Sequence, residues 1–218
     1  MTNTPRAQSR ISRRRNLTVV ILALVLTGAI AGGLWLTRDP EPRMLQRRSG
    51  LAGVIEGPVV HEGKHELRDV KLRATSGLEV ELTIKRPRAD SSLQKRRPLA
   101  VVLGGHRRGR AAVQFIPDAG DIIVAALSYP YAGEPRPDAL EFVRDIPSIR
   151  QAFLDTPPAI MLALDYLLTQ PDVDPTWVEL VGVSLGGPFV TIAAALDERV
   201  SRVWVVHGSA GSYGPLEV

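Results

Sequence analysis

Cysteine is absent from this chain of 218 residues, and aromatic side chains make up only 5% of it. Without cysteine the chain can form no disulfide framework, no thiolate zinc site and no lipid-modified N-terminal cysteine. Hydrophobic residues account for 44% and charged residues for 23%, which is ordinary for a globular protein. The length therefore allows one domain with a proper core, together with an appendage.

Basic charge is concentrated at the N-terminal end of the chain. Residues 1–48 hold nine arginines and two acidic residues, whereas the rest is slightly acidic, although the whole chain carries a net charge of +4. The folded part is therefore not expected to present a basic surface, and the composition gives no argument for nucleic-acid binding.

An uncharged apolar stretch follows the basic segment of residues 1–16. Residues 17–37 are long and apolar enough to predict a transmembrane or signal helix. The preceding arginines favour a cytoplasmic N-terminus and an exported body. The apolar run continues past Ala29-Ile30-Ala31, a pattern that a signal peptidase accepts, so an uncleaved anchor is favoured. We expect a membrane-anchored protein with its domain on the extracytoplasmic side; the alternative is a secreted or periplasmic protein after signal cleavage.

The remaining chain divides into an expected linker, residues 38–60, which contains Pro40 and Pro42, and a domain of residues 61–218. Two segments of alternating polar and apolar residues, His65–Ala74 and Leu78–Arg86, predict an antiparallel hairpin. Further elements alternate along the chain: strands at 99–103, 121–127, 177–183 and 200–206, a helix that begins at Thr156, and a helix over Phe189–Leu196. This pattern predicts an α/β fold with a mostly parallel sheet of about six strands and an antiparallel N-terminal hairpin.

One serine stands at the junction of a predicted strand and a predicted helix, in the sequence Gly182-Val183-Ser184-Leu185-Gly186-Gly187. A sharp turn there strains the serine backbone and lifts its hydroxyl out of the sheet, and the glycines prevent side chains from colliding across the turn. The Leu185 N–H, at the start of the helix, can receive a developing oxyanion. The motif predicts a nucleophilic Ser184; the alternative is an ordinary helix-capping serine in a glycine-tolerant turn.

Four stretches together resemble the α/β-hydrolase superfamily, nearest to its dienelactone-hydrolase and prolyl-oligopeptidase-like esterase branches: DVDPTWVELVGVSLGG, PLAVVLGGHRRG, DIIVAALSYPYAG and VWVVHGSAG. The resemblance implies hydrolysis of a small-molecule carboxylic ester without a cofactor or metal. It also implies that the His106 N–H is a second oxyanion donor. Tyr129 and Tyr131 either line the acyl or leaving-group side or pack under a lid. The family often has histidine at the position of Gly104. The second donor is therefore the N–H of His106 or that of a residue next to it.

The acid and the base of such a hydrolase follow the nucleophile along the chain. Asp197 and Glu198 end the helix that starts beside Ser184 and lie too far from it, so His207 is the remaining candidate base. The family has two further strands that carry the acid and the base, and strand 200–206 would have an unpaired apolar edge. We therefore expect a C-terminally truncated hydrolase that is inactive as given. The alternative is a non-catalytic, membrane-tethered binding module with an α/β-hydrolase-like fold; substrate and oligomeric state are not indicated.

Overall fold

The computed structural model describes Thr27 and residues 40–88, 95–105, 108–131, 139–206 and 214–216. Its internal contacts divide the chain into two units, Met1–Pro40 and Glu41–Val218, and the elements described below belong to the second. The predicted transmembrane or signal helix lies outside the described residues except for Thr27. No described helix is both long enough and apolar enough to cross a bilayer.

The described strands form one sheet with the order β1-β2-β3-β5-β4-β6-β7-β8. Their bounds are β1 Leu51–Glu62, β2 His65–Ala74, β3 Glu79–Pro87, β4 Arg97–Leu103, β5 Ile123–Leu127, β6 Val173–Val183, β7 Arg202–Val206 and β8 Gly214–Leu216. Pairing is parallel from β5 through β4 and β6 to β7, and antiparallel elsewhere. The carboxyl ends of the parallel strands therefore meet at one edge, where ligands bind in folds of this class.

Helices cover the two faces of the sheet unequally. The described helices are α1 Glu41–Arg48, a 3₁₀ helix Gly109–Phe115, α2 Ala139–Leu167 and α3 Gly186–Leu196. The larger core lies between the sheet and the apolar sides of α2 and α3, whereas the 3₁₀ helix covers a smaller cluster around Val102 and Val124 on the other face. Because both faces of β4 and β5 are covered, these strands are apolar without alternation.

The segment predicted to be a linker, residues 38–60, instead contains α1 and most of β1. Strand β1 breaks the alternating pattern with Gly57 and Pro58, and its pairing with β2 shifts register between Glu56 and Val59. An edge strand tolerates such residues because one row of its backbone groups needs no partner strand. Helix α1 has few apolar residues, and Arg47 and Arg48 tie it to α2 through ion pairs with Asp155 and Asp165. Neither element is visible as periodicity in the sequence.

Three further expectations need correction. The sheet has eight described strands rather than about six, and antiparallel pairings outnumber parallel ones, because β1 and β8 extend its two ends. Helix α2 begins at Ala139 rather than near Thr156, and Pro147, Pro157 and Pro158 lie inside it. The edge of β7 is not unpaired, since β8 pairs with it antiparallel.

Candidate active site

Ser184 occupies a sharp turn between β6, which ends at Val183, and α3, which begins at Gly186. Its φ is +53°, in the left-handed region that non-glycine residues rarely adopt. Two backbone hydrogen bonds hold this conformation: the Ser184 N–H donates to the Val206 carbonyl at 2.9 Å, and the Ser184 carbonyl accepts the Gly187 N–H at 3.1 Å. The residue is exposed. The strain is therefore maintained by the surrounding sheet and helix, as at sites where backbone strain presents a functional group.

Crowding around this turn explains its glycines. A Cβ at Gly182 would lie 2.7 Å from the Gly186 carbonyl oxygen and 2.7 Å from the Gly187 Cα, and a Cβ at Gly186 would overlap the Leu103 carbonyl group. The obstacles are backbone atoms, which cannot move aside as a flexible side chain would. Glycine is therefore required at 182 and 186 for the strand and the helix to approach this closely.

The loop after β4 runs beside the serine. A Cβ at Gly105 would lie 3.4 Å from the Ser184 Cβ and 3.8 Å from its Oγ, so the Gly105 backbone passes directly alongside the hydroxyl. The Gly105 carbonyl accepts the Arg108 N–H at 3.1 Å, which closes a turn. His106, the predicted second oxyanion donor, lies outside the described residues.

Leu185, the other predicted oxyanion donor, precedes the first residue of α3 and has helical backbone angles. The first N–H groups of a helix have no partner within that helix and point outward along its axis. They also lie at the positive end of the helix dipole, which favours negative charge there. The N-terminus of α3 therefore suits a developing oxyanion beside Ser184.

Tyr129, which follows β5, lies between the glycine loop and α3. Its hydroxyl donates a hydrogen bond of 2.5 Å to the Gly104 carbonyl, and its ring meets the Phe189 ring edge-on at a centroid distance of 5.8 Å. Burial raises the pKa of the Tyr129 phenol, so the hydroxyl keeps its proton and remains a donor. On its other side the tyrosine lines a cavity of about 610 Å³, whose walls include Arg47, Ser128 and Asp155.

The acidic residue that follows α3, Asp197, is engaged elsewhere. Asp197 follows the last residue of the helix and accepts two hydrogen bonds from Arg199, at 2.7 and 2.6 Å. Burial alone would raise the pKa of Asp197, but the hydrogen bonds and charge of Arg199 outweigh it and hold that pKa below its usual value. The eleven residues of α3 span about 16 Å. Asp197 thus belongs to an ion-pair network at the opposite end of the helix from Ser184.

The described histidines also lie away from the serine. His61 is on β1 and His65 on β2, and β3, β5 and β4 stand between β2 and the serine-bearing β6. With neighbouring strands roughly 4.8 Å apart, this separation is about 19 Å. His207, the remaining candidate base in the sequence, lies outside the described residues.

A sheet whose parallel strands point their carboxyl ends at a strained serine, with a helix starting directly behind it, has the fold of the α/β hydrolases. Similar solved structures include an acetyl xylan esterase from a Paenibacillus species, at 19% identity and a TM-score of 0.54, covering 75% of this chain and 56% of that chain. They also include acetyl xylan esterase 1 from a Thermoanaerobacterium species, at 18% identity and a TM-score of 0.53, covering 75% and 55%. A dienelactone hydrolase-like promiscuous phosphotriesterase from metagenomic libraries matches at 20% identity and a TM-score of 0.51, covering 67% and 60%.

Identities at this level show a shared fold and nothing finer. The chain spans a little more than half of the length of these three structures. No family model and no curated protein matches the sequence.

Sequence patterns did not indicate two features around Tyr129. The hydrogen bond from Tyr129 to Gly104 joins residues 25 positions apart, and only the parallel pairing of β4 with β5 brings them together. The cavity wall contributed by Arg47 comes from the segment expected to be a linker. The family resemblance placed Tyr129 near the site, but no local pattern could have found its hydrogen-bond partner.

Proposed function

We propose that this chain carries the nucleophile of a serine hydrolase that acts on small-molecule carboxylic esters. The observation that carries the proposal is the left-handed backbone of the exposed Ser184, at a junction where glycine is required on both sides. Such strain persists only where the surroundings enforce it, and here it presents a hydroxyl at the carboxyl edge of the sheet. The esterase names of structures with the same fold support ester hydrolysis as the reaction class.

The proposed reaction is acyl transfer to water. The Ser184 Oγ attacks the ester carbonyl carbon while a base takes the hydroxyl proton, and the carbonyl oxygen becomes an oxyanion. The N–H groups of Leu185 and His106 are the proposed donors to that oxyanion. Collapse of the tetrahedral intermediate breaks the ester C–O bond and releases the alcohol, which takes a proton. Water then attacks the acylated serine and releases the carboxylic acid.

Among the described residues no histidine lies beside Ser184, and we expect this chain on its own to hydrolyse esters slowly. The positions of His61 and His65 on β1 and β2, and the engagement of Asp197 by Arg199, support this expectation. A serine hydroxyl without a base is a weak nucleophile, although oxyanion stabilisation alone still accelerates acyl transfer.

Hydrolysis of p-nitrophenyl acetate by the purified chain tests the proposal. We expect slow turnover that falls to the uncatalysed rate in Ser184→Ala, because the attacking oxygen is gone. We expect His207→Ala to retain the wild-type rate, because the family resemblance places the base after a further strand and not at this position. Circular dichroism of each variant provides the control for folding.

Three other outcomes would revise the proposal. Turnover that survives in Ser184→Ala would exclude the serine as nucleophile. Rapid turnover that is lost in both variants would keep the hydrolase but make His207 the base. Complete absence of turnover in the folded wild-type chain, together with no fluorophosphonate labelling of Ser184, would favour the non-catalytic binding module.

We also propose that residues 17–37 anchor the protein in a membrane and leave the domain on the extracytoplasmic side. The uncharged apolar stretch and the arginines before it support this location. Protease added to intact cells that express the full chain with a C-terminal tag should remove the tag, and a tag that resists until the cells are broken would contradict the orientation. Release of the protein by alkaline carbonate washing would contradict the anchor.

A further inference from the structure

The proposed oxyanion site requires a fixed relative position of two segments, which are the start of α3 and the loop that begins at Gly104. Two consecutive glycines make the beginning of this loop intrinsically free in its backbone angles. A pre-organised donor site requires that this freedom be removed, because donors that reorganise during the reaction stabilise the transition state less. The hydrogen bond from the Arg108 N–H to the Gly105 carbonyl supplies one constraint, and a side chain from outside the loop supplies another.

Tyr129 contacts both segments. Its hydroxyl donates to the Gly104 carbonyl at 2.5 Å, and its ring lies edge-on against Phe189 in the first turn of α3. Phe189 is itself buried and meets Phe153 of α2 at 5.1 Å, so the ring that receives Tyr129 is held from a second side. The tyrosine therefore bridges the glycine loop to the helix that begins behind Ser184.

The hydrogen bond constrains more than one atom. The Gly104 carbonyl and the Gly105 nitrogen share a planar peptide group, so fixing the carbonyl oxygen fixes the plane that leads into Gly105. The Gly105 backbone is the part of the loop that passes beside the Ser184 hydroxyl. The position of the loop next to the nucleophile thus depends on the Tyr129 hydroxyl.

We infer that Tyr129 is a positioning residue of the oxyanion site, which holds the Gly104–Gly105 loop against the Ser184 turn through one hydrogen bond and one ring contact. The inference rests on the proposed function, and it concerns a residue that does not itself touch the reacting atoms. Loss of the hydroxyl should loosen the loop while the ring continues to fill its place against Phe189.

The test compares Tyr129→Phe with Tyr166→Phe in the full chain. Both changes remove one phenol oxygen and keep the ring. The Tyr166 hydroxyl also makes a hydrogen bond of 2.5 Å, but to Glu56, so it joins α2 to β1 in the antiparallel half of the sheet. Tyr166→Phe therefore controls for the loss of one phenol hydrogen bond at a position away from the site.

The first readout is the affinity for phenylboronic acid. Its boron accepts the Ser184 Oγ, an O–B bond forms, the hydroxyl proton passes to solvent, and the tetrahedral boronate anion places an oxygen in the oxyanion site. We expect Tyr129→Phe to weaken this affinity about three- to tenfold, the effect of one lost hydrogen bond. Tyr166→Phe should leave it unchanged, and Ser184→Ala should abolish binding.

The second readout observes the loop without any ligand. Glycine labelled with ¹³C at the carbonyl and with ¹⁵N gives one-bond carbonyl–nitrogen correlations only from Gly-Gly pairs, and the sequence contains three: Gly32-Gly33, Gly104-Gly105 and Gly186-Gly187. Tyr129→Phe should shift the Gly104-Gly105 correlation, because the carbonyl loses its hydrogen bond. Tyr166→Phe should shift none of the three.

These outcomes separate the inference from the proposed function. If the correlation shifts but boronate affinity does not change, the contact is structural only and the positioning role is excluded. If neither changes, the hydrogen bond does not exist and the inference is also excluded. If the wild-type chain binds no boronate at millimolar concentration, or Ser184→Ala binds it equally well, the proposed nucleophile is wrong and the positioning role falls with it.

Discussion

The sheet of this protein has a parallel half and an antiparallel half, and their strands differ in burial. In the parallel half, formed by β5, β4, β6 and β7, strands β4 and β5 are short and largely buried, and every residue of β5 is buried. In the antiparallel half, β1, β2 and β3, the strands are longer, and no residue of β1 is buried. Ser184 and its glycines lie at the carboxyl end of β6, and the loop beside them follows β4, so the candidate site belongs to the parallel half. The candidate site therefore lies where backbone atoms approach most closely and where substitutions have least room.

Polar contacts also differ between the halves. Lys71 of β2 pairs with Glu79 of β3 at 2.8 Å, and both side chains are exposed, so solvent screens the interaction. At the far end of α3, by contrast, the Asp197 carboxylate is buried and paired with Arg199. The comparison leads to a general expectation: equal chemical changes should cost far more in the parallel half and the helices packed on it. Three pairs of variants test this expectation, a fourth pair tests backbone strain in each half, and urea denaturation measures each free energy of unfolding.

Truncation of a buried strand residue should have the largest effect. Leu180 of β6 is 0% exposed, so Leu180→Ala should lower the free energy of unfolding by about 3–4 kcal/mol through lost contacts and a residual cavity. Ile55 of β1 is 70% exposed, and Ile55→Ala should change it by less than about 0.5 kcal/mol. Similar losses for the two variants would show that β1 is covered in solution and that the comparison is wrong.

Replacement of glycine by alanine should give the second-largest difference in stability between the halves. Gly186→Ala places a Cβ against the Leu103 carbonyl group, and we expect a loss of roughly 3 kcal/mol because the backbone has to move. In β1 the nearest atom to a Cβ at Gly53 is the Arg73 Cβ at 4.0 Å, so Gly53→Ala should be neutral or slightly stabilising. A harmless Gly186→Ala would mean that the turn is looser than described.

Removal of one buried charge should give a smaller, pH-dependent effect. Asp197→Asn should cost about 2 kcal/mol at pH 7, because the Arg199 guanidinium loses a charged partner. The folded-state pKa of Asp197 lies below its unfolded value near 3.9, so this contribution is present above that pH and disappears as the pH falls through the folded pKa. The difference between wild type and variant should therefore close below about pH 4.

The matched change in the antiparallel half is Glu79→Gln, which removes the exposed partner of Lys71. We expect no measurable change in stability at any pH, although the hydrogen bond and charge of Lys71 lower the pKa of Glu79. A pH dependence as large as that of Asp197→Asn would contradict the contrast between screened and buried pairs.

Relief of backbone strain should give the smallest effect, and its sign is reversed. Ser184→Gly should raise the free energy of unfolding by about 1 kcal/mol, because glycine adopts the left-handed conformation without a Cβ clash. Gly63, in the turn between β1 and β2, has a φ of +60°, and Gly63→Ala should cost about the same amount. If Ser184→Gly instead lowers the free energy of unfolding, the serine side chain makes stabilising contacts that outweigh the backbone strain.

The sequence predicted the parallel half better than the antiparallel one, for physical reasons. Buried strands such as β5 consist of uninterrupted apolar residues, and the crowding that requires Gly182 and Gly186 is local to one turn, so both leave a pattern in the chain. Strand β1 is exposed and contains Gly57 and Pro58. Its backbone groups form hydrogen bonds with β2, but its side chains do not alternate between polar and apolar, so no pattern in the sequence predicts it.

Long-range contacts account for the other differences. Prolines suit the first turn of a helix, which led to a predicted start at Thr156, but α2 runs through Pro157 and Pro158 and begins at Ala139. Packing of the helix on the sheet and on α1 outweighs the lost backbone hydrogen bonds. The link from Tyr129 to Gly104 likewise depends on which strands become neighbours, which no local pattern encodes.

Labelling with a fluorophosphonate, with the modified peptide mapped by mass spectrometry, tests most directly whether the turn presents a reactive hydroxyl. The account predicts that the label attaches to Ser184 in preference to every other serine. We also expect a rate that rises with pH without levelling near the pKa of a histidine, because we propose that hydroxide and not a histidine of this chain removes the serine proton. A label spread evenly over surface serines and absent from Ser184 would contradict the account.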